Sequence, residues 1–155
     1  MQPDLREIVL IEDSEHDRLM SVRALRRRHV ANPVRELRDG EEAMLHFFGE
    51  GVDREAVRRR TCVVLLDLKL PRVDGAEILR RLKSDPVLRV LPVVVLTSSA
   101  EESDRLASYD TGANSYIVKP IDFDAFAGAI SELGFYWGVL NANADGPNAH
   151  ACGPS

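Results

Sequence analysis

The run Cys62-Val63-Val64-Leu65-Leu66, stopped by the single carboxylate of Asp67, constrains this chain more than any other stretch. An unbroken apolar run of that length suits a strand covered on both faces, as in a parallel sheet. Asp67 then stands where the strand leaves the core, at the carboxyl end, where open α/β sheets place their ligands. Beyond it, Leu68-Lys69-Leu70-Pro71-Arg72-Val73-Asp74-Gly75 is a turn bracketed by proline and glycine. Asp74 and Glu77 have the spacing of a capping box that opens a helix.

The same pattern recurs along the chain. Ile8-Val9-Leu10-Ile11 ends in Glu12-Asp13, and Ser14 with Asp17 caps a helix over about 15–30. That helix is expected to turn Leu19, Val22 and Leu25 inward; its other face carries Arg18, Arg23, Arg26 and Arg27. These arginines read as a solvated surface in preference to a dock for an acidic partner. Asn32-Pro33 breaks the helix, Val34 to Arg38 gives a less apolar edge strand, and Asp39-Gly40-Glu41-Glu42 opens a helix through Phe48. Gly49 to Thr61 is polar and arginine-rich and reads as a surface connection, long for a helix–strand link.

After a helix over 75–84, Asp85-Pro86 ends the element and Pro92 to Leu96 forms another buried strand, finishing in Thr97-Ser98-Ser99. Ser99 and Glu102 cap a helix to about Asp110, Thr111 to Asn114 turns the chain, and Ser115 to Val118 is the last strand. Lys119-Pro120 closes it, and Asp122 caps a final helix over 123–137. Five repeats of strand, polar tip, cap and helix predict a five-stranded parallel sheet with right-handed crossovers and helices on both faces.

Composition narrows the function. The 155 residues suit one domain, and 45% hydrophobic with 29% charged residues is the balance of an ordinary soluble globular chain. A net charge of −5 argues against nucleic acid as the main partner. The amino-terminal stretch lacks the pattern of a signal peptide, and no apolar run reaches the roughly 20 residues of a membrane span. A cytoplasmic location with no membrane partner is the expectation. Cys62 and Cys152 lie far apart without metal spacing, so Cys62 reads as small core filler.

In a parallel sheet the strand tips share one edge, which brings Glu12, Asp13, Asp67, Thr97 and Lys119 to one crevice. Carboxylates at close quarters raise one another's pKa, and the usual relief for an all-oxygen cluster is a hard cation such as Mg²⁺. A threonine hydroxyl and a lysine ammonium can hold a phosphoryl group by its oxygens. The reaction this set suits is phosphoryl transfer to a carboxylate, with the central Asp67 as acceptor.

The ordered set Glu12-Asp13, Asp67-Leu68-Lys69-Leu70-Pro71, Asp74-Gly75, Thr97-Ser98 and Lys119-Pro120 resembles the receiver domain of two-component response regulators. The resemblance spans residues 7–137 and implies a doubly wound, flavodoxin-like sheet in strand order 2-1-3-4-5. It implies Asp67 as phosphoacceptor, and Mg²⁺ on Asp13, Asp67 and the Lys69 carbonyl, with Glu12 acting mostly through water. It further implies Thr97 and Lys119 on the phosphoryl oxygens, a cis peptide before Pro120, and a switch in which Thr97 swings and Tyr116 turns inward. The face made by the fourth helix, fifth strand and fifth helix would then be reshaped. Lys69 departs from the smaller residues often found two places after the acceptor; shading by its side chain is expected to slow dephosphorylation.

The receiver is expected to occupy 7–140, with a disordered tail over 141–155 and too little chain for a helix-turn-helix module. Its output would then be protein contact or phosphoryl relay, with a sensor histidine kinase as partner. Phe126, Ile130, Leu133 and Trp137 are placed to face the sheet. The surplus apolar end, Phe135, Tyr136, Trp137, Val139 and Leu140, suggests a homodimer interface. The compact form most resembles regulators paired with phytochrome kinases. Two rivals stand beside this reading. A haloacid-dehalogenase-type phosphatase needs a second Asp where Lys69 stands, and a pseudo-receiver would bind partners without taking phosphate.

Overall fold

The computed structural model describes residues 5–27, 29–107 and 112–132. Five strands, β1 (Glu7–Ile11), β2 (Val34–Leu37), β3 (Thr61–Asp67), β4 (Val93–Thr97) and β5 (Ser115–Val118), form one sheet in the order β2-β1-β3-β4-β5. Every pairing is parallel, as the expected doubly wound arrangement requires. The helices are α1 (Glu15–Arg27), α2 (Gly40–Phe48), α3 (Arg54–Arg60), α4 (Gly75–Ser84), α5 (Ala100–Ala107) and α6 (Phe123–Glu132), with a 3₁₀ turn at Leu88–Val90.

Alternate strand residues divide into two cores, because successive side chains on a strand point to opposite faces. Ile8, Leu10, Val63, Leu65, Val94, Leu96 and Ile117 pack with Leu25 of α1 and Phe126 of α6. Val9, Ile11, Val64, Leu66, Val93 and Val95 pack on the other face with Phe47 of α2, Val57 of α3 and Ile78 and Leu82 of α4. β3 is buried along its whole length, which is why its sequence shows no alternation. Cys62 lies in this strand with its thiol pushed up to about 12 by burial, the state of an inert core residue.

Three local expectations are corrected. Residues 49–61 are not a featureless connection: Asp53 Oδ1 accepts the Ala56 N–H (3.2 Å) and starts α3, whose Val57 is buried. Arg54 Nη1 then reaches Asp85 Oδ2 at 2.7 Å, tying α3 to the end of α4. Leu19 does not face inward; it is exposed, while Ser21 and Leu25 are the buried residues of α1. Steps of three residues drift by about 60° each on a helix, so Leu19 ends about 120° around from Leu25. Asp74 precedes α4 but makes no side-chain capping bond; the Gly75 N–H instead donates to Leu68 O at 3.0 Å, and Glu77 pairs with Arg80.

The described part of the last helix ends at Glu132. The expected interface residues Phe135, Tyr136 and Trp137, the boundary at 140 and the tail over 141–155 lie outside the described residues. Among the described residues no helix is long and apolar enough to cross a membrane.

Candidate functional site

Register sets the level of each strand tip. Ile11 pairs with Leu66 and Asp67 with Leu96, so Glu12, Asp67 and Thr97 leave the sheet together. The Lys119 N–H donates to Thr97 O at 2.8 Å and anchors the tip of β5 to that of β4. The Lys119–Pro120 peptide is cis.

The turn between β1 and α1 is held from several sides. Glu12 Oε2 accepts the Ser14 N–H (3.2 Å), and Ser14 Oγ accepts the Asp17 N–H (3.1 Å), the expected cap. Arg18, assigned by sequence to a solvated face, folds back: its Nη1 donates to Glu12 O at 2.8 Å and Asp13 O at 3.1 Å. Its Nε lies 3.5 Å from Glu36 Oε1, and the side chain is only 11% exposed.

These supports aim three carboxylates at one point. Oxygen atoms of Glu12, Asp13 and Asp67 all lie within 4.8 Å of one another; Glu12 and Asp67 are buried and Asp13 is exposed. Asp67 Oδ1 accepts the Lys69 N–H at 3.0 Å. Lys119 Nζ lies among the acids, donating to Glu12 Oε1 (2.9 Å), Asp67 Oδ2 (3.0 Å) and Asp17 Oδ2 (3.2 Å). Burial pushes the Glu12 carboxyl up to about 7, with the Asp67 charge adding to it and the bonds from Lys119 and Ser14 opposing it. Burial alone would lower the Lys119 pKa; its bonds to Glu12 and Asp67 outweigh that and hold it above the ordinary lysine value.

One ammonium does not balance Glu12, Asp13, Asp17 and Asp67. The surplus negative charge on clustered oxygen donors fits a hard divalent cation. Glu12, Asp13 and Asp67 offer the clustered oxygens that could hold it, and the Lys69 N–H in the adjoining turn already holds Asp67. Thr97 is buried, and its Oγ1 donates to Ser99 O at 3.1 Å. Tyr116 pairs in register with Val95 and packs, partly buried, against the second core. Lys69 Nζ is drawn toward α5, 3.1 Å from Glu102 Oε2 and 3.4 Å from Ser98 Oγ, with its side chain 69% exposed.

The structure thus brings Glu12, Asp13, Asp67 and Lys119 into direct proximity, and Lys69 borders them. Sequence reasoning assigned Asp17 only to a cap and missed its bond to Lys119. Asp13 precedes α1 (Glu15–Arg27), and the Asp17–Lys119 bond joins residues 102 apart in the chain, so no local spacing signalled it.

A family profile described as the response regulator receiver domain matches residues 8–131. The chain belongs to the response regulator receiver family. Rcp1 of Synechocystis is 34% identical over 130 residues, covering 84% of this chain and 87% of that protein. A probable methanogenesis regulatory protein, FilR2 of Methanothrix harundinacea, is 37% identical over 131 residues, covering 84% and 82%. Among solved structures, the bacteriophytochrome response regulator AtBRR superposes with a TM-score of 0.75 at 43% identity, covering 90% of this chain and 99% of that one. The bacteriophytochrome response regulator RtBRR does so with 0.78 at 45% identity, covering 88% and 82%. Rcp1 is also known in an Mn²⁺-bound form. The receiver fold and its strand order are therefore shared with regulators of this type.

Proposed function

We propose that this receiver domain accepts a phosphoryl group on Asp67 from a sensor histidine kinase, in a Mg²⁺-dependent transfer. The observation that carries this reading is the buried Asp67 carboxylate, clustered with Glu12 and Asp13 and held 3.0 Å from the Lys119 ammonium. In the transfer an Asp67 oxygen forms a bond to phosphorus as the P–N bond of the phosphohistidine breaks, its electron pair returning to the imidazole. The product is an acyl phosphate. A bound Mg²⁺ supplies charge neutralisation for the carboxylates and for the transferred oxygens. Lys119 orients one phosphoryl oxygen, and Thr97 exchanges its bond to Ser99 O for another. Tyr116 then turns toward the space Thr97 leaves, and the α5–β5–α6 face changes. Because residues 54–60 form a helix, this is the face that sequence reading numbered fourth helix, fifth strand, fifth helix.

The protein acts as a signalling switch whose chemistry is confined to its own carboxylate. Similarity to the bacteriophytochrome regulators at 43% and 45% identity supports a phytochrome-type kinase as partner, and a cytoplasmic location is proposed with it. Homodimerisation through the C-terminal helix rests on the apolar Phe135, Tyr136 and Trp137. Light scattering of Trp137→Ala and Tyr136→Ala checks it, an unchanged monomer in wild type and variants ending the idea.

The main test is intact mass after incubation with acetyl phosphate and Mg²⁺. One added phosphoryl group, lost in Asp67→Asn and with EDTA, supports the reading. No adduct makes the protein a pseudo-receiver, and multiple turnover makes it a phosphatase.

A further inference from the structure

The amino-terminal edge of the sheet, opposite the acidic crevice, carries the reverse charge. Glu7 of β1 pairs in register with Thr61 of β3, so Arg6 and the end of α3, Arg59-Arg60, meet at that edge. They line a concavity of about 380 Å³ together with Leu5 and Ala56, and its charged lining residues are all arginines. Two other surface grooves mix their signs. Arg23 and Arg27 share one with Asp122 and Asp124, and Arg18 and Arg38 share the other with Glu15, Glu36 and Glu42. Nearby carboxylates do not balance the arginine edge. Glu7 lies 2.9 Å from Arg35 and 3.8 Å from Arg60, and Glu55 lies 2.8 Å from Arg58 and 4.0 Å from Arg59. Asp53 and Asp85 are taken up by the Ala56 N–H and by Arg54. Glu7 and Glu55 thus serve two guanidinium groups each, and Arg6 has no carboxylate partner among the described residues. The Arg59 and Arg60 side chains are 62% and 45% exposed. The positive field reaches a neighbouring element: burial lowers the pKa of His46 in α2, and Arg35 and Arg60 lower it further.

We propose that this edge, Arg6 with Arg59 and Arg60, docks a short acidic segment of a partner protein. A guanidinium is a planar fork that matches a carboxylate with two parallel bonds, and Leu5 and Ala56 give the segment an apolar contact between the charges. The net charge of −5 repels a long polyanion such as nucleic acid, so attraction is confined to a segment short enough to see the edge alone. The seven residues of β3 separate the edge from Asp67 by roughly 20 Å. A docked segment therefore leaves the acceptor crevice uncovered, and the surface stands or falls independently of the chemistry at Asp67.

The test titrates the full-length protein with a short polyglutamate peptide at low salt and follows the backbone amide resonances. Those of Arg6, Ala56, Arg59 and Arg60 are expected to shift saturably, while those of Asp13 and Asp67 stay in place; added salt weakens the complex. Arg59→Gln with Arg60→Gln should weaken binding about three- to ten-fold, the range of two exposed ion pairs. Arg59→Glu alone, at the more exposed position, should do the same by reversing one charge. Arg23→Gln with Arg27→Gln, in the groove of mixed sign, should leave binding unchanged. All these side chains lie at the surface, and thermal unfolding of each variant checks that the fold is intact. No saturable shift in the wild type, equal affinity in the Arg59 variants, or shifts centred on Arg23 and Arg27 overturns the proposal. So does tighter binding of single-stranded nucleic acid or of anionic vesicles than of the peptide. Acetyl phosphate labelling of the wild type, with and without peptide, is read in parallel: equal labelling supports two separate sites, and absence of labelling in both overturns the receiver reading alone.

Discussion

Gly75 lies so close to the tip of β3 that an added Cβ would meet Asp67 O at 2.3 Å, Leu68 Cα at 2.5 Å and Leu68 O at 2.9 Å. All three are backbone atoms, so no side chain can swing aside. Ordinary contact begins at 3.4 Å, so in Gly75→Ala the helix start and the strand tip must part by about 1 Å. The overpacking costs about 1–3 kcal/mol, and loss of the Gly75 N–H bond to Leu68 O costs about 1 kcal/mol. The smaller backbone entropy of alanine in the unfolded chain offsets about 0.5–1 kcal/mol. The net is about 2 kcal/mol, or a melting temperature lower by about 8 °C for a domain of this size. Gly128, within α6, is the control: an added Cβ there meets nothing within 4 Å, and Gly128→Ala should stabilise by about 0.5–1 kcal/mol. Thermal unfolding followed by circular dichroism reads both. Because the strained atom is the carbonyl of Asp67 itself, acetyl phosphate labelling of Gly75→Ala should also slow. A Gly75→Ala melting point at or above that of the wild type would refute the steric argument.

Three further outcomes are expected. Arg18→Ala removes the bonds to the Glu12 and Asp13 carbonyls and should lose about 2 kcal/mol of stability together with several-fold in Mg²⁺ affinity. Arg18→Lys should recover only part of this, lacking the guanidinium fork; Mg²⁺ titration and urea unfolding decide. Lys69→Ala should shorten the lifetime of the acyl phosphate by opening it to water, and hydrolysis no faster than in the wild type removes that role from Lys69. His46 has its pKa lowered to about 4 by burial, with Arg35 and Arg60 adding to the effect. Its folded form thus binds fewer protons than the unfolded chain, so its contribution is complete above pH 6.5 and lost as pH falls toward 4. The shift corresponds to at most about 3 kcal/mol, and to about 2 after allowing for partial solvent access. His46→Leu should remove that share of the acid destabilisation, measured by urea unfolding at neutral pH and near pH 4.

The site was legible because its residues stand at the ends of strands whose burial is written in unbroken apolar runs. Ile8–Ile11, Cys62–Leu66 and Val93–Leu96 fix three tips, and parallel topology does the rest. The caps at Ser14, Asp39, Ser99 and Asp122 were readable for the same local reason, and each accepts the expected backbone N–H. α3 was not, because Val57 is its single buried residue among four arginines and so leaves no apolar periodicity. Its signal was instead the Asp53 cap and the Glu55–Arg58 pair, which forms at 2.8 Å. The roles of Asp17 and Arg18 were hidden for a different reason. Both depend on where α1 sits over the β1 tip, a tertiary placement that converts charges on a helix surface into supports for a site.

The central claim is that Asp67 is the residue that changes covalently. Borohydride reduction of the acetyl phosphate-treated protein, followed by peptide mapping, tests it most directly, since reduction of an aspartyl phosphate leaves the side chain of homoserine. Homoserine is expected at position 67 alone, in amounts that depend on Mg²⁺. Homoserine at position 13 or 74, or none at position 67 in a protein that has gained a phosphoryl group, would contradict it.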